Sequence, residues 1–167
     1  MENLVVSGKM AHVRDAFLFC CYTGLRFSDF CLMRSSCFSN ESDCLWLRMK
    51  LKKTGVEVKI PVSLLFDGKG ERILNRYDSV EAFAALISNS KVNAYLKVLA
   101  EKAGVKIRMT FHTSRHTCAT LLCHHGVPVT TVQKILGHSS VSTTQIYQDV
   151  MGETLVKDLI RVSNSSL

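Results

Sequence analysis

No apolar run in this chain is long. The longest, residues 16–22, falls far short of the roughly 20 residues that a membrane-spanning helix needs, so no membrane span is expected. No positively charged start followed by a hydrophobic segment points to secretion. The seven cysteines, at positions 20, 21, 31, 37, 44, 118 and 123, are odd in number and lack the dense, regular spacing of a disulfide scaffold. Most sit in apolar stretches and read as reduced core residues of a cytoplasmic protein. Paired Cys-x-x-Cys spacing is also missing, which argues against a zinc site built from Cys118, Cys123, His124 and His125, and no metal is expected. No Gly-Lys-Ser/Thr follows a glycine four residues earlier. The Asp-Gly-Lys-Gly run at 67–70 is therefore no phosphate loop, and ATP dependence is not expected. Proline is scarce, with 2 in the chain: Pro61 leads into a helical turn, and Pro128 is a good first-turn residue for a helix.

What is present is a 167-residue chain, enough for one domain with a real core, and its hydrophobic fraction of 47% agrees. Its formal net charge of +7 and pI near 9.1 favour a polyanionic partner. Residues 1–8 read as a lead-in. Residues 10–22 begin the first helix, with Val13, Phe17, Leu18 and Cys21 close to helical spacing and Gly24 as its stop. A second helix is expected from Arg26 through Arg34, and Asp29, three residues on from Arg26, lies within reach on the same face.

Between 37 and 62 the period changes. Leu45, Leu47, Met49 and Leu51 alternate with Trp46, Arg48 and Lys50, while Val56, Val58 and Ile60 alternate with Glu57 and Lys59, so both stretches read as strands facing a core. Lys52-Lys53-Thr54-Gly55 is the turn between them. A helical turn is expected at 63–66, a flexible loop at 67–70 and a helix at 71–76, whereas 77–90 show no clear period. Residues 91–103 form an amphipathic helix stopped by Gly104. The fold class expected is mainly α with a small antiparallel β-sheet of about three strands.

Residues 111–147 concentrate the chemistry. His112 and Arg115, three apart, are expected on one face of a helix whose apolar strip is Ala119, Leu121 and Leu122 and whose stop is Gly126. A short helix follows from Pro128 through Val129, Val132, Ile135 and Leu136, closed by Gly137, and His138 comes next. His138 and Tyr147 are nine residues apart and would lie on opposite faces of one unbroken helix. They can share a site only if the chain turns between them, and Ser139 and Ser140 supply a place for a new helix to begin.

The blocks His112-x-x-Arg115-His116-Thr117, Leu136-Gly137-His138-Ser139-Ser140 and Thr144-x-x-Tyr147 resemble the C-terminal signature of the tyrosine recombinases, the phage-type integrase family. Thr23-Gly24-Leu25-Arg26-Phe27-Ser28-Asp29 looks like the block that carries the family's first arginine. Lys53-Thr54-Gly55 followed by Ile60-Pro61 looks like its lysine hairpin, and Lys53 is a better match than Lys52 or Lys50. Together the resemblance covers residues 9–155. Ser114 stands where the family often has leucine and Asp29 where it often has glutamate, and neither change removes a reacting group.

The resemblance implies the tyrosine recombinase catalytic-domain fold over residues 9–162, ahead of a flexible tail at 163–167, and the family's N-terminal DNA-clamping domain is not expected in this chain. It implies strand cleavage and rejoining of double-stranded DNA, with Tyr147 as nucleophile and His112 as general base. Arg26 and Arg115 would stabilise charge, His138 would donate to a non-bridging oxygen, and Lys53 would act as general acid. Asp29 and His116 are expected to support these groups, and no cofactor is implied. A homo-oligomer on DNA in a tetrameric synapse, accessory DNA-bending proteins, and a bacterial, nucleoid-associated cytoplasmic setting are implied as well. The amphipathic segment 154–162, with Leu155, Val156, Leu159 and Ile160, would cap its own domain or dock on a neighbouring protomer. Two other readings are a non-catalytic helix-turn-helix module over 128–147 and a topoisomerase-like relaxing enzyme.

Overall fold

The computed structural model describes residues 1–138 and Thr144. Tyr147, the Ser139-Ser140 turn, the segment 154–162 and the tail lie outside the described residues. The centre of the fold is α1, Gly8–Thr23, whose C-terminal half is buried on every side from Asp15 to Thr23. A helix without a solvent face belongs inside, and α1 packs chiefly against α3 (Lys69–Leu74), α5 (Asn89–Lys102) and α6 (Phe111–His124). The short α2 (Phe27–Phe30) and α4 (Val80–Ala84) contribute Phe30 and Phe83, which meet Phe19 and each other edge-on with ring centroids 5.0–6.0 Å apart. Such T-shaped contacts add to the burial of apolar area, about 0.5–1.5 kcal/mol each. Phe111, the first residue of α6, joins the same cluster against Phe17 and Phe27, so the N-terminus of α6 is pinned beside α2.

The three strands β1 (Phe38–Glu41), β2 (Cys44–Lys50) and β3 (Glu57–Pro61) form an antiparallel sheet in the order β1-β2-β3. Leu47 pairs with Ile60 and Met49 with Val58, which puts the alternating apolar positions of β2 and β3 on one inward face. The fold is therefore mainly helical with a small antiparallel sheet, as the periodicity indicates. In two places the local path differs from the expected one. The helix expected from Arg26 to Arg34 is shorter, because after Phe30 the chain tightens into i→i+3 bonds, Leu32 N to Asp29 O and Met33 N to Phe30 O, and Arg34 is extended. The loop expected at 67–70 is shorter: Phe66, Asp67 and Gly68 turn through the left-handed region at φ 50°, 55° and 69°, and α3 begins directly after them, so Lys69 and Gly70 are helical.

Two glycines set how closely the elements approach. Gly24 ends α1 in the left-handed region at φ 73°, and a Cβ there would lie 2.5 Å from Leu136 Cδ2. Gly137 ends α7 (Val129–Leu136) at φ 63°, and a Cβ there would lie 2.8 Å from Val58 Cγ1 and closer still to Leu51. The end of α7 thus rests against α1 on one side and the β2–β3 hairpin on the other. Gly137→Ala combines overpacking with a left-handed alanine and is expected to lower stability by about 2–4 kcal/mol, read from urea unfolding midpoints. A midpoint within error of the parent would contradict this packing.

Candidate active site

Arg115 lies on the buried stripe of α6, with Phe111, Ser114, Cys118, Ala119 and Leu122, and is 3% exposed. Its guanidinium donates from Nη1 to Gly24 O at 2.8 Å and from Nη2 to Leu136 O at 2.6 Å. Both acceptors are carbonyls at helix C-termini, where the macrodipole is negative, so one planar cation joins α6 to the ends of α1 and α7. His112 does not share this buried stripe. It sits with His116 on the adjoining exposed face, the two rings perpendicular with centroids 4.6 Å apart. The helix starts where it does because Thr110 and Thr113 form a reciprocal capping box and Asn93 Oδ1 accepts from Phe111 N at 2.8 Å.

Arg26 is the N-cap residue of α2, directly after the turn that Gly24 makes. Its Nη1 is buried with no hydrogen-bond partner among the described residues and stands 3.9 Å from Asp29 Oδ2, which also lacks one among them. The fully buried Asp29 instead uses Oδ1 to accept from the backbone N–H of Lys52 at 2.8 Å. Asp29 therefore faces both ways, holding Arg26 by charge and the start of the lysine turn by a hydrogen bond. Lys53 is exposed at that turn.

His138 follows the left-handed Gly137. Its backbone is clasped by Gln133, whose carbonyl accepts from His138 N at 3.1 Å while its side-chain amide donates to His138 O at 3.1 Å. Its ring Nδ1 lies 2.8 Å from Thr144 Oγ1, and Thr144 is itself buried. Burial, then the charges of Arg115, Arg26 and His116, hold the ring down to a pKa of about 4. His112, at the rim of the site, is lowered for the same kinds of reason: partial loss of water around the ring first, then His116, Arg115, Arg26 and Lys53. Both imidazoles thus feel the same two guanidiniums.

The structure accordingly gathers Arg26, Arg115, His112, His116 and His138 around one locus, with Lys53 at its edge and Asp29 beneath. Sequence reasoning gave His116 only a supporting place, yet its charge acts on both of the other imidazoles. It missed Asn93, Ser28 and Thr110, which with Arg26 and His112 line a cavity of about 310 Å³. Nothing in the spacing marks Asn93, a half-buried polar residue on an otherwise ordinary amphipathic helix. Among the described residues no group of three or more His, Cys, Asp or Glu is placed to hold a metal ion, and no helix is long and apolar enough to cross a membrane.

Comparison with known proteins agrees with this geometry. The Phage integrase family matches residues 3–153. The chain is 46% identical over 71 residues to tyrosine recombinase XerD of Bifidobacterium longum, an overlap of 42% of this chain and 23% of that protein. It is 34% identical over 152 residues to tyrosine recombinase XerA of Thermococcus onnurineus, covering 86% of this chain and 53% of the relative. Among solved structures, a lambda integrase (75–356) dimer bound to a COC′ core site superposes with a TM-score of 0.66 at 25% identity, over 85% of this chain and 53% of that one. The chain spans about half or less of the length of the curated relatives it matches.

The depressed pKa of His138 carries a sign that can be checked. An unfolded ring, near 6.5, takes up its proton before the folded one, near 4. The unfolded state therefore binds more protons in that window, and stability is expected to fall as pH drops from about 6.5 towards 4. NMR titration of the His138 ring in the free protein should give a midpoint near 4. A midpoint at or above 6.5 would mean that the ring is not held among these cations.

Proposed function

Because the chain belongs to the phage integrase family, the tyrosine recombinases, we propose that it cleaves and rejoins duplex DNA at specific sites through a covalent 3′-phosphotyrosyl intermediate. Tyr147 Oη forms the bond to phosphorus as the P–O5′ bond breaks, which leaves a free 5′-hydroxyl. A phenol with an ordinary pKa of about 10 is a weak nucleophile at neutral pH and needs a base. His112 takes that proton, and its lowered pKa keeps it neutral and able to accept at pH 7. Lys53 gives a proton to the leaving oxygen. Arg26 and Arg115 stabilise the charge that grows on the non-bridging oxygens, and His138 donates to one of them. Asp29 and His116 support the arginine and the base. Phosphoester energy is conserved in the tyrosyl link, so the exchange requires no ATP.

The observation that carries this reading is the pairing of two guanidinium charges on one pair of imidazoles, together with a buried Arg26 Nη1 that has no acceptor among the described residues. An unpaired buried donor costs about 1–3 kcal/mol, and an incoming phosphate oxygen removes that cost. Duplex DNA is the partner, as for the lambda integrase dimer on its core site. Assembly on DNA is as a homo-oligomer, in a tetrameric synapse served by accessory DNA-bending proteins. Residues 9–162 are the catalytic domain, acting in the cytoplasm at the nucleoid.

Incubation with nicked suicide duplexes of randomised core sequence should trap a covalent protein–DNA adduct, and mass spectrometry should place the link on Tyr147. Tyr147→Phe should give none, and Arg26→Ala should slow adduct formation about 10²–10³-fold. The rate should also fall in acid, at a lower pH than an ordinary imidazole would give, as His112 becomes protonated. An adduct that survives in Tyr147→Phe would refute the assignment of the nucleophile. DNA binding without any adduct would favour a non-catalytic module.

A further inference from the structure

The cavity beside Arg26 and His112 has polar walls that the chemistry above does not use, and Asn93 is the residue in it whose two ends face different tasks. A backbone N–H can be met only by an acceptor, so the 2.8 Å bond from Phe111 N fixes the amide oxygen of Asn93 towards α6. The NH2 group is then the other end, and it makes no hydrogen bond among the described residues. Asn93 and Thr110 also border a second groove, of about 600 Å³, between α5 and residues 105–110, whose charged lining is Lys97, Lys106 and Arg108 against Glu101 alone. Polar donors next to the reacting groups and an excess of cations beyond them describe a track for a phosphodiester backbone.

We propose that Asn93 both positions the catalytic helix and contacts DNA: its oxygen holds the N-terminus of α6, and its NH2 donates to a non-bridging oxygen of the phosphodiester next to the scissile one. This rests on the recombinase reading and assigns a further part of the same substrate. Aspartate is the discriminating replacement. Asn93→Asp keeps the acceptor for Phe111 N and so keeps the helix start, but it turns the donor into an anion facing a phosphate.

The experiment compares the parent chain, Asn93→Asp and Asn93→Ala on the suicide duplex selected by the parent chain. Each is also tried on duplexes with a neutral methylphosphonate at one or the other linkage flanking the scissile phosphate, and thermal melting is recorded in parallel. Asn93→Asp should melt with the parent and form adduct about tenfold more slowly or worse, given the cost of like charges at close range. At one of the two flanking linkages, methylphosphonate should restore most of its rate relative to the parent on that duplex. The deficit of Asn93→Ala should shrink at the same linkage, which keeps the test open should the aspartate variant melt early. A role confined to holding α6 predicts parental cleavage by Asn93→Asp, and that result overturns the proposal. A deficit that neither linkage relieves, in either variant, overturns it as well. Failure of the parent chain to form any adduct would instead sink the recombinase reading, and this inference with it.

Discussion

One buried guanidinium holds the site together. Arg115 donates to the last carbonyls of two helices that are far apart in sequence, Gly24 at the end of α1 and Leu136 at the end of α7. Each of those carbonyls is an acceptor left over when a helix stops, and both are buried, so each needs a donor. A fork of planar N–H groups meets both at once, which a lysine cannot do from a single point charge. The consequence is positional. Gly24 leads within two residues to Arg26, and Leu136 leads within two residues to His138, so fixing those two carbonyls fixes where the next arginine and the next imidazole emerge.

The sheet is brought to the same place by contacts of another kind. Gly137 has no side chain to keep Leu51 and Val58 away, and the hairpin packs directly onto the end of α7. Asp29 then ties the backbone of Lys52 to the short helix that Arg26 begins. Together these join the lysine turn to the arginine and histidine segments while leaving Lys53 exposed. A rigid base under an exposed tip lets a side chain reach outward from a defined origin. The buried carboxylate of Asp29 is sustained by a backbone donor and a nearby cation, which offsets the cost of removing its charge from water.

The electrostatics follow from that crowding. Among the described residues, two guanidiniums, three imidazoles and an ammonium are assembled with one carboxylate among them, so the locus they form bears an excess of positive potential. Neutral imidazoles are the form such a place favours, and partial desolvation with the neighbouring cations drives both His112 and His138 the same way. A site with fixed donors already turned inward has little to reorganise when an anion arrives, which is how preorganised electrostatic stabilisation works. The Arg26 Nη1 group, which lacks an acceptor among the described residues, fits that description.

Much of this was legible in the amino-acid sequence. The inward alternation of Leu47, Val58 and Ile60 determines two strands of the sheet, Gly126 stops α6, and the ordered blocks around Arg26, Lys53, His112, Arg115, His138 and Tyr147 point to one family and one chemistry. Local rules suffice there, because period, capping and turn residues act over a few positions. The rest required long-range packing. Spacing alone puts His112 and Arg115 on one face, but only the burial of Phe111, Cys118 and Leu122 against α1 decided that Arg115 turns inward and His112 outward. Likewise, nothing near Asp29 announces that its carboxylate serves a turn 23 residues away, and nothing near Asn93 announces that it caps a helix 18 residues on. Those partners are chosen by which backbone donors remain unmet once the helices and hairpin have packed, a condition that exists only in three dimensions.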